Sequence, residues 1–586
     1  MTGAEYIVEF LRQRGSKNFF LVQGGACAFI IDAIGRNKEV DYFCFNHEQS
    51  TAMAADACWR VNKTVGVTVA TSGPGATNLI TGIACSYFDS IPSIHITGQV
   101  NKSESSEFIG ANVRQTGFQE TKIVEMVKPI TKYAVQVNSI DELKKELIKA
   151  YNIAISHRMG PVLIDVPMNI QKEEAGDVIE YFAEQDRSIA SEIDGFALTK
   201  KQVQAFLTDA KRPMVLFGAG IGLSGAEAQV MRFIEQHQLP FVSSWNGISF
   251  FDHDSAGYCG QIGVYGNRGA NFILQNCDAL LVLGSRLDNR QRSGNSKSFA
   301  SDAKVLVVDV DVEELKKYRS ESNFSAIALD LSNFSKVFGG IEVAKFDAAW
   351  LPYVEEMKVK YFGKEVSTYA EKNNTLSPYL AVKKLNSIME NDAVVIGDTG
   401  ATVCWVYQSF HRTKQNLFTS GGNSPMGYAL PAAIGAKITD HSKQVICMIG
   451  DGGFQMNIQE LQTVVQNKLD IKIVVFNNAG YGIIKQFQDS YFDSRYFATG
   501  EGYGVPDFEK IAYSYGIDYI KITDVNQLTK ETFSKSSAVL IDLIIDTNTL
   551  IEPKLEMGRP IHDQFPYISD VDFKSANRFV NYKRLR

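Results

Sequence analysis

Twelve short apolar runs, each separated from the next by a stretch with helical periodicity, dominate this chain and restrict it to a parallel α/β architecture. "DYFCF" (41–45), "TVGVTVAT" (64–71), "PSIHITG" (92–98) and "GPVLIDVP" (160–167) form a first group. "RPMVLFGAG" (212–220), "LPFVSS" (239–244), "DALLVLGS" (278–285) and "KVLVVDVD" (304–311) form a second. "DAVVIGD" (392–398), "QVICMIGD" (444–451), "IKIVVFNN" (471–478) and "AVLIDLIID" (538–546) form a third. Continuous rather than alternating apolar residues mark strands covered on both faces, as helices cover a parallel sheet. The pattern predicts three doubly wound parallel-sheet domains. Their expected limits are 1–172, 198–340 and 376–550, with a tail over 551–586. The polar, aperiodic "QKEEAGDVIEYFAEQDRSIASEIDG" and the irregular 340–376 stretch separate them.

The 586 residues exceed what one core accommodates. A net charge of −7 removes the basic footprint that nucleic-acid binding needs. No apolar run approaches the roughly 20 residues of a membrane span. The opening "MTGAEYIVEFLRQRG" reads as an amphipathic helix without the basic region and apolar core of a signal peptide. The eight cysteines form no CxxC pair and sit mostly in apolar runs, as buried thiols do in a reducing cytoplasm. The eight histidines lack metal-ligand spacing, so zinc is not expected.

"CMIGDGGFQMN" (447–457) places Asp451 among Gly450, Gly452 and Gly453 directly after an apolar run. One glycine makes a turn; three point to a ligand close to the backbone. Asn477 and Asn478 end the next apolar run, 27 positions after Asp451, with one helix, "NIQELQTVVQNK", expected between. In an open α/β sheet both oxygens then emerge on the carboxyl edge, where ligands bind. An Asp and an Asn carbonyl suit Mg2+, which completes its octahedron with phosphate and water. The helix N-terminus favours the phosphate. The plain alternative is an N-capping Asp and an unrelated Asn turn. Glu48, in "FCFNHEQS", also follows an apolar run and opens a helix, which puts it on a carboxyl edge. Its plain alternative is a dipole-compensating acid beside an Asn46 cap.

"GDGGFQMNIQELQTVVQNKLDIKIVVFNNAGYG" resembles the GDG…NN motif of thiamine diphosphate-dependent enzymes. "NHEQSTAMAADACWR", "TSGPGATNLITGIACSYFDSIPSIHITGQV", "SPMGYALPAAIGA" and "GIIKQFQ" extend the likeness to acetolactate synthases over nearly the whole chain. The resemblance implies a pyrimidine-binding domain, a central domain and a diphosphate-binding domain. It implies that Asp451, Asn478 and the Gly480 carbonyl hold Mg2+, and that Glu48 serves the aminopyrimidine ring as the acid that starts catalysis. It implies that Met426, beside Gly427, props the cofactor in its bent shape. Gly24 and Gly25 of "VQGGACAF" would line the cavity, and Phe118 and Gln119 of "TGFQET" would face the substrate channel. Loop packing is the plain alternative for each. Similar enzymes place the cofactor between two chains, so a homodimer or homotetramer is expected. No regulatory subunit is specified.

In the central domain Gly218, Gly220 and Gly222 follow a strand, which alone is weak evidence for a dinucleotide. The resemblance implies FAD there, because "WNGISFF" (245–251), "GQIGVYGNRGAN" (260–271), "GSRLDNR" (284–290) and "VVDVD" (307–311) fall where flavin-dependent members carry their FAD contacts. Arg286 and Arg290 of "GSRLDNR" could pair with phosphates, and Asp309 could bind a ribose or adenine edge. The alternative is an empty domain with ordinary ion pairs. The chain also departs from the family pattern. Acetolactate synthases usually read "GxHQ" in the loop where this chain has Ala401 and Thr402, so the diphosphate contacts there must differ, and Thr402 could donate one hydrogen bond. Phe487 replaces the Trp of branched-chain members, "VQGGA" replaces "YPGGA", and the tail resembles those of sugar-pathway relatives, which can fold over the active-site mouth. The expected activity is a carboligase that takes a 2-ketoacid donor, pyruvate first, and a second ketoacid or a keto-sugar nucleotide as carbonyl acceptor. A flavin-dependent oxidase and a non-catalytic cofactor-binding protein are the alternatives. No His-His pair supports a simple decarboxylase, and Glu48 argues against the glyoxylate carboligase branch.

Overall fold

The computed structural model describes residues 1–110, 112–177, 193–361, 376–580 and 582. Most of the polar stretch after the first unit, and positions 362–375 of the irregular stretch before the third, lie outside the described residues. Three six-stranded sheets are present, and every strand pair is parallel.

The first sheet contains β1 (Asn18–Leu21), β2 (Asp41–Cys44), β3 (Gly66–Ala70), β4 (Ser93–Gln99), β5 (Tyr133–Gln136) and β6 (Val162–Pro167). The second contains β7 (Pro213–Phe217), β8 (Phe241–Ser243), β9 (Tyr258–Gln261), β10 (Ala279–Leu283), β11 (Lys304–Asp309) and β12 (Phe324–Ala328). The third contains β13 (Val394–Gly397), β14 (Asn416–Phe418), β15 (Val445–Gly450), β16 (Ile471–Asn477), β17 (Asp518–Ile522) and β18 (Val539–Ile544). The first sheet runs β2-β1-β3-β4-β6-β5, and the third repeats that order as β14-β13-β15-β16-β18-β17. The second runs β12-β11-β10-β7-β8-β9, the 3-2-1-4-5-6 order of dinucleotide-binding folds. The orders reverse between β1 and β3, between β7 and β10, and between β13 and β15. Crevices open there beyond the carboxyl ends of the strands.

The first and third units pack through two helices, α1 (Glu48–Asn62) and α2 (Ala429–Thr439). Their shared core holds Met53, Ala54 and Ala57 against Ala429, Ala432, Ala433 and Ala436. Small side chains bring the backbones together, so that a Cβ on Gly435 would lie 2.2 Å from the Ala54 carbonyl oxygen. A buried charge network reinforces the contact. Arg60 of α1 pairs with Asp56 at 2.7 Å and Asp89 at 2.8 Å, and Asp89 accepts the Gly421 and Gly422 N–H groups of the third unit. Tyr428 donates its hydroxyl to Asp56.

The tail lies on the central unit. Fully buried Arg268 donates to the Gln564 and Pro566 carbonyls at 2.9 and 2.7 Å, and Asn271 donates to the Ile561 carbonyl. A short helix, Asp570–Ala576, lies within it, too short to show in the sequence pattern. Among the described residues, no helix is long and apolar enough to cross a membrane.

Gly435→Ala tests the helix contact. In an open helix this change stabilises by about 1 kcal/mol. Here overpacking against backbone dominates, and the net effect expected is a loss of about 2 kcal/mol in urea unfolding. An unchanged or raised midpoint would mean that the helices do not meet this closely.

Candidate functional site

The crevice of the third sheet gathers most of the candidate residues. Asp398 follows β13, Asp451 follows β15 and begins a short helix, α3 (Asp451–Met456), and Asn478 follows β16. Asp451 is buried; its Oδ1 accepts the Tyr503 hydroxyl at 2.8 Å and its Oδ2 accepts the Gly480 N–H at 3.3 Å. Asn478 is also buried, and its amide nitrogen has no partner among the described residues. Burial pushes the Asp451 carboxyl up to about 6. A carboxylate and an amide, both buried and with no lysine or arginine paired to the acid, are a donor set that fits a hard divalent cation. Thr402 lies under the same loop, its Oγ1 3.0 Å from where a Cβ on Gly450 would be.

The neighbouring glycines have a reason within the protein. A Cβ on Gly453 would sit 2.0 Å from an Asp398 oxygen, and one on Gly452 would sit 2.5 Å from the Tyr481 ring. Asp398 is the organiser of this crevice, and the sequence reading did not single it out. Its buried carboxylate accepts the Gly427 and Ala429 N–H groups at 3.1 and 3.0 Å, which fixes the turn carrying Met426. Burial pushes it up to about 6 against these hydrogen bonds. The available signal was "VIGDTG", which repeats the strand-end acid of "MIGDGG" one strand away.

The helix expected between Asp451 and Asn478 forms only in part. The expected stretch, 457–468, opens with a 3-10 turn and is α-helical only over α4 (Leu461–Gln466), while the separate helix α3 precedes it and ends at Asn457 (φ −130°). Asn457 leaves helical geometry where its amide binds the Gly427 carbonyl at 2.8 Å.

The crevice of the first sheet holds the second group. Glu48 is the first residue of α1, and the cap is His47 rather than Asn46, its Nδ1 accepting the Gln49 N–H. The Glu48 carboxylate is buried, accepts the Asn78 amide at 2.9 Å, and lies 3.1 Å from where a Cβ on Gly75 would be. It therefore faces the "TSGPGATN" loop that follows β3. Gly24 packs on Thr71 of that loop, while Gly25 has open space on its Cβ side. Gln119, in left-handed backbone at φ 63°, packs on Gly73. Phe118 stands apart, 84% exposed.

The loop bearing Phe118 and Gln119 is rooted on Gln99, which donates to the Thr121 carbonyl at 2.9 Å and to Asp165 at 3.0 Å. Asp165 also accepts the Thr97 hydroxyl at 2.6 Å. Burial pushes Asp165 up to about 7.

The third crevice is a cleft of about 840 Å3 walled by all three units. Gly220, Arg286, Arg290 and Asp309 line it. Gly218 lies behind the lining, where a Cβ would meet the Gly284 carbonyl at 2.2 Å; its smallness joins the loops after β7 and β10. The Arg290 guanidinium lies 5.7 Å from the Tyr265 ring centre. Tyr318 donates to the Arg286 carbonyl at 2.9 Å, which anchors that loop. Burial raises the Asp309 carboxyl. An elongated cleft at a Rossmann switch point, with two arginines at one end and an acid at another strand end, fits a dinucleotide.

Three family models match the chain. They are described as the thiamine pyrophosphate enzyme N-terminal TPP binding domain (residues 1–126), central domain (201–332) and C-terminal TPP binding domain (398–543). The chain is 33% identical to the acetolactate synthase isozyme 2 large subunit of Escherichia coli K12, over 90% of this chain and 92% of that protein. It is 33% identical to the acetolactate synthase large subunit of Cyanidium caldarium, over 95% of each. It is 31% identical to the chloroplastic acetolactate synthase 1 of Zea mays, over 96% of this chain and 88% of that protein.

The Asp165 root predicts an unusual pH dependence. Its folded pKa lies above the ordinary carboxyl value, so between about pH 4 and 7 the folded state keeps a proton that the unfolded state releases. Stability from this group is therefore lost as pH rises through that window. Asp165→Asn removes the titration and keeps an acceptor oxygen for the Gln99 amide, while its own NH2 donates to the Thr97 hydroxyl instead of accepting from it. Thermal unfolding should show the wild type falling behind the variant from pH 4 to 7, by an amount on the order of a few kcal/mol. Parallel curves would refute the assignment.

Proposed function

The chain belongs to the thiamine diphosphate-dependent, acetolactate synthase-like enzyme family, and on that basis we propose that it removes CO2 from a 2-ketoacid, pyruvate first, and joins the two-carbon remainder to a second carbonyl compound. The observation that carries this reading is the pair of buried carboxyls beyond strand ends: Glu48 after β2, facing the loop that follows β3, and Asp451 after β15. Thiamine diphosphate supplies a thiazolium carbon that holds negative charge once the carboxylate is lost. Asp451, Asn478 and the Gly480 carbonyl hold Mg2+ against the diphosphate, with Thr402, Gly450, Gly452 and Gly453 forming the cradle. Met426, fixed through Gly427 and Asp398, supports the bend of the cofactor. Glu48 holds and exchanges a proton at the aminopyrimidine ring, and Asn78 orients its carboxylate.

These two groups take their hydrogen bonds within their own units, Glu48 from Asn78 and Asp451 from Tyr503 and Gly480. Phe118 of the neighbouring loop is exposed as well. A second copy of the chain completes the cofactor site, which makes a homodimer the smallest active form and a homotetramer a natural extension. FAD occupies the central cleft, with Arg286 and Arg290 toward its phosphates. Eight unpaired cysteines, seven of them buried, suit the cytoplasm.

The acceptor end is formed by Phe487, whose ring lies 4.7 Å from Tyr491 and 5.8 Å from Phe492. A Phe here leaves more room than a Trp, and the tail residue Met557 beside Tyr491 is 71% exposed. This open flank favours a second reading, in which the acceptor is a bulkier keto-sugar nucleotide.

The deciding assay incubates the protein with thiamine diphosphate, Mg2+, FAD and pyruvate, and follows CO2 and products by NMR. Fast acetolactate formation supports a ketoacid acceptor. Slow CO2 release without acetolactate, accelerated by a keto-sugar nucleotide, supports the second reading. Glu48→Gln should lower either activity by at least about 100-fold; unchanged turnover would remove Glu48 from its role. Arg286→Ala combined with Arg290→Ala should strip the flavin absorption from purified protein. Equal flavin content in this double variant would locate the flavin phosphates elsewhere.

A further inference from the structure

The segment that delivers Glu48 is gripped from the third unit on both sides of the acid. Before it, the Asn46 N–H is accepted by both Glu460 oxygens at 3.3 Å, and the Asn46 amide donates to the Gln459 carbonyl at 3.1 Å and to Thr463 at 3.3 Å. After it, the Ser50 hydroxyl and the Gln49 amide reach Asn457 Oδ1 at 3.3 and 3.5 Å. Asn457 and Glu460 belong to the turn between α3 and α4.

We propose that Asn457 and Glu460 are positioning residues for Glu48, holding from one unit the strand-to-helix turn that presents the acid in another; this rests on the role given to Glu48 above. Both side chains are buried, Asn457 1% and Glu460 0% exposed. A carboxylate at that depth with no cation beside it is a poor way to fill space, since an apolar residue would pack there without desolvating a charge. Its oxygens are instead committed: one or both accept the Asn46 N–H, and Oε2 accepts the Thr463 hydroxyl at 2.7 Å. Asn457 is bound at both ends of its amide. Its nitrogen donates to the Gly427 carbonyl, beside Met426, and its oxygen serves α1. One side chain thus ties the cofactor-prop turn to the first turn of the acid-bearing helix. Neither residue donates to or accepts from the Glu48 carboxylate itself, which faces Asn78 in its own unit. They act on where the backbone puts Glu48.

A catalytic group must be held within about 0.5 Å of its working place. The backbone on either side of Glu48 is what sets that place, and neither side is secured by the first unit alone. A misplacement of about 1 Å costs on the order of 100-fold in rate.

The test uses full-length protein loaded with thiamine diphosphate and Mg2+. Glu460→Gln keeps the side-chain size and turns one acceptor oxygen into a donor. Asn457→Ala removes both amide bonds and, if Glu460→Gln fails to fold, decides alone. Two quantities are read: the dissociation constant for thiamine diphosphate, and the rate of hydrogen–deuterium exchange at the thiazolium C2 per bound cofactor, by acid quench and NMR. Glu48→Gln is run alongside. The expected result is near wild-type cofactor affinity with exchange slowed about 10- to 100-fold in both positioning variants. A merely structural role would lower the unfolding temperature and leave exchange per bound cofactor unchanged. That outcome, with Glu48→Gln slow, overturns the positioning role alone. Wild-type exchange in Glu48→Gln would bring down the role of Glu48 and this inference with it.

Discussion

The contact between α1 and α2 sets the geometry on which everything else depends. Two helices meet with backbone against backbone, because Gly435 and its alanine neighbours leave no side chain between them. Such an interface tolerates almost no sliding, since each residue has a close-packed neighbour rather than a flexible one. Glu48 begins one of these helices, and the turn leading into the other starts at Met426 and Gly427. The distance between the two carboxyl-edge crevices within a chain is therefore fixed by a contact that contains no catalytic residue. The Arg60, Asp56 and Asp89 network closes one end of the same seam: one guanidinium serves two carboxylates, and the Gly421 and Gly422 N–H groups and the Ser86 and Tyr428 hydroxyls donate to their other lone pairs, so the buried charges are paired and hydrogen-bonded.

The parallel sheets explain why acids can be kept at these positions. A carboxylate buried beyond a strand end lies beside backbone N–H groups that have no strand partner left. Asp398 uses two of them, from Gly427 and Ala429, and Asp451 uses one from Gly480 together with the Tyr503 hydroxyl. Desolvation still wins in both cases, since each carboxyl is raised to about 6. The two acids differ in what surrounds them. Asp398 has its oxygens turned onto the protein's own backbone, so it organises. Asp451 has the buried Asn478 at the neighbouring strand end, and a carboxylate with an amide oxygen is a donor set that suits a hard cation. The same strand-end position yields an acid turned onto backbone in one loop and a candidate ligand in the next.

Much of this was readable from residue order, for a reason that also explains the omissions. Strands covered on both faces appear as continuous apolar runs, and β3, β4, β6, β10, β15, β16 and β18 were visible for that reason. The strands left out were mostly sheet edges. β12 and β17 are largely exposed and alternate weakly, while β5 is half-buried throughout. β1 is internal but only four residues long. Among the candidate residues, Asp451, Asn478 and Glu48 were legible because each is a polar residue just after an apolar run, and the structure holds all three buried beyond strand ends. Asp398, Asn457 and Glu460 serve backbone groups up to 414 positions away, as Glu460 does for Asn46. No local pattern encodes such a partner. The non-helical start at Asn457 was missed for the same cause: the apolar spacing is helical, and the interactions that hold Asn457 out of the helix come from Gly427 and Ser50.

The central unit is bound to the other two by shared walls rather than by shared chemistry. Its cleft takes Trp59 and Arg60 from the first unit and Phe418 and Asn423 from the third, so a ligand there would touch all three. Arg60 belongs at once to this wall and to the ion network of the α1 seam. A ligand filling the cleft is then linked by mass action to the closed arrangement of the units, because it binds only where the walls are assembled. This gives a physical reason for a dinucleotide-type domain that carries neither Glu48 nor Asp451. Even a cofactor that transfers no electrons would stabilise the relative placement of the sheets, and the strength of that effect would follow its affinity rather than its redox state.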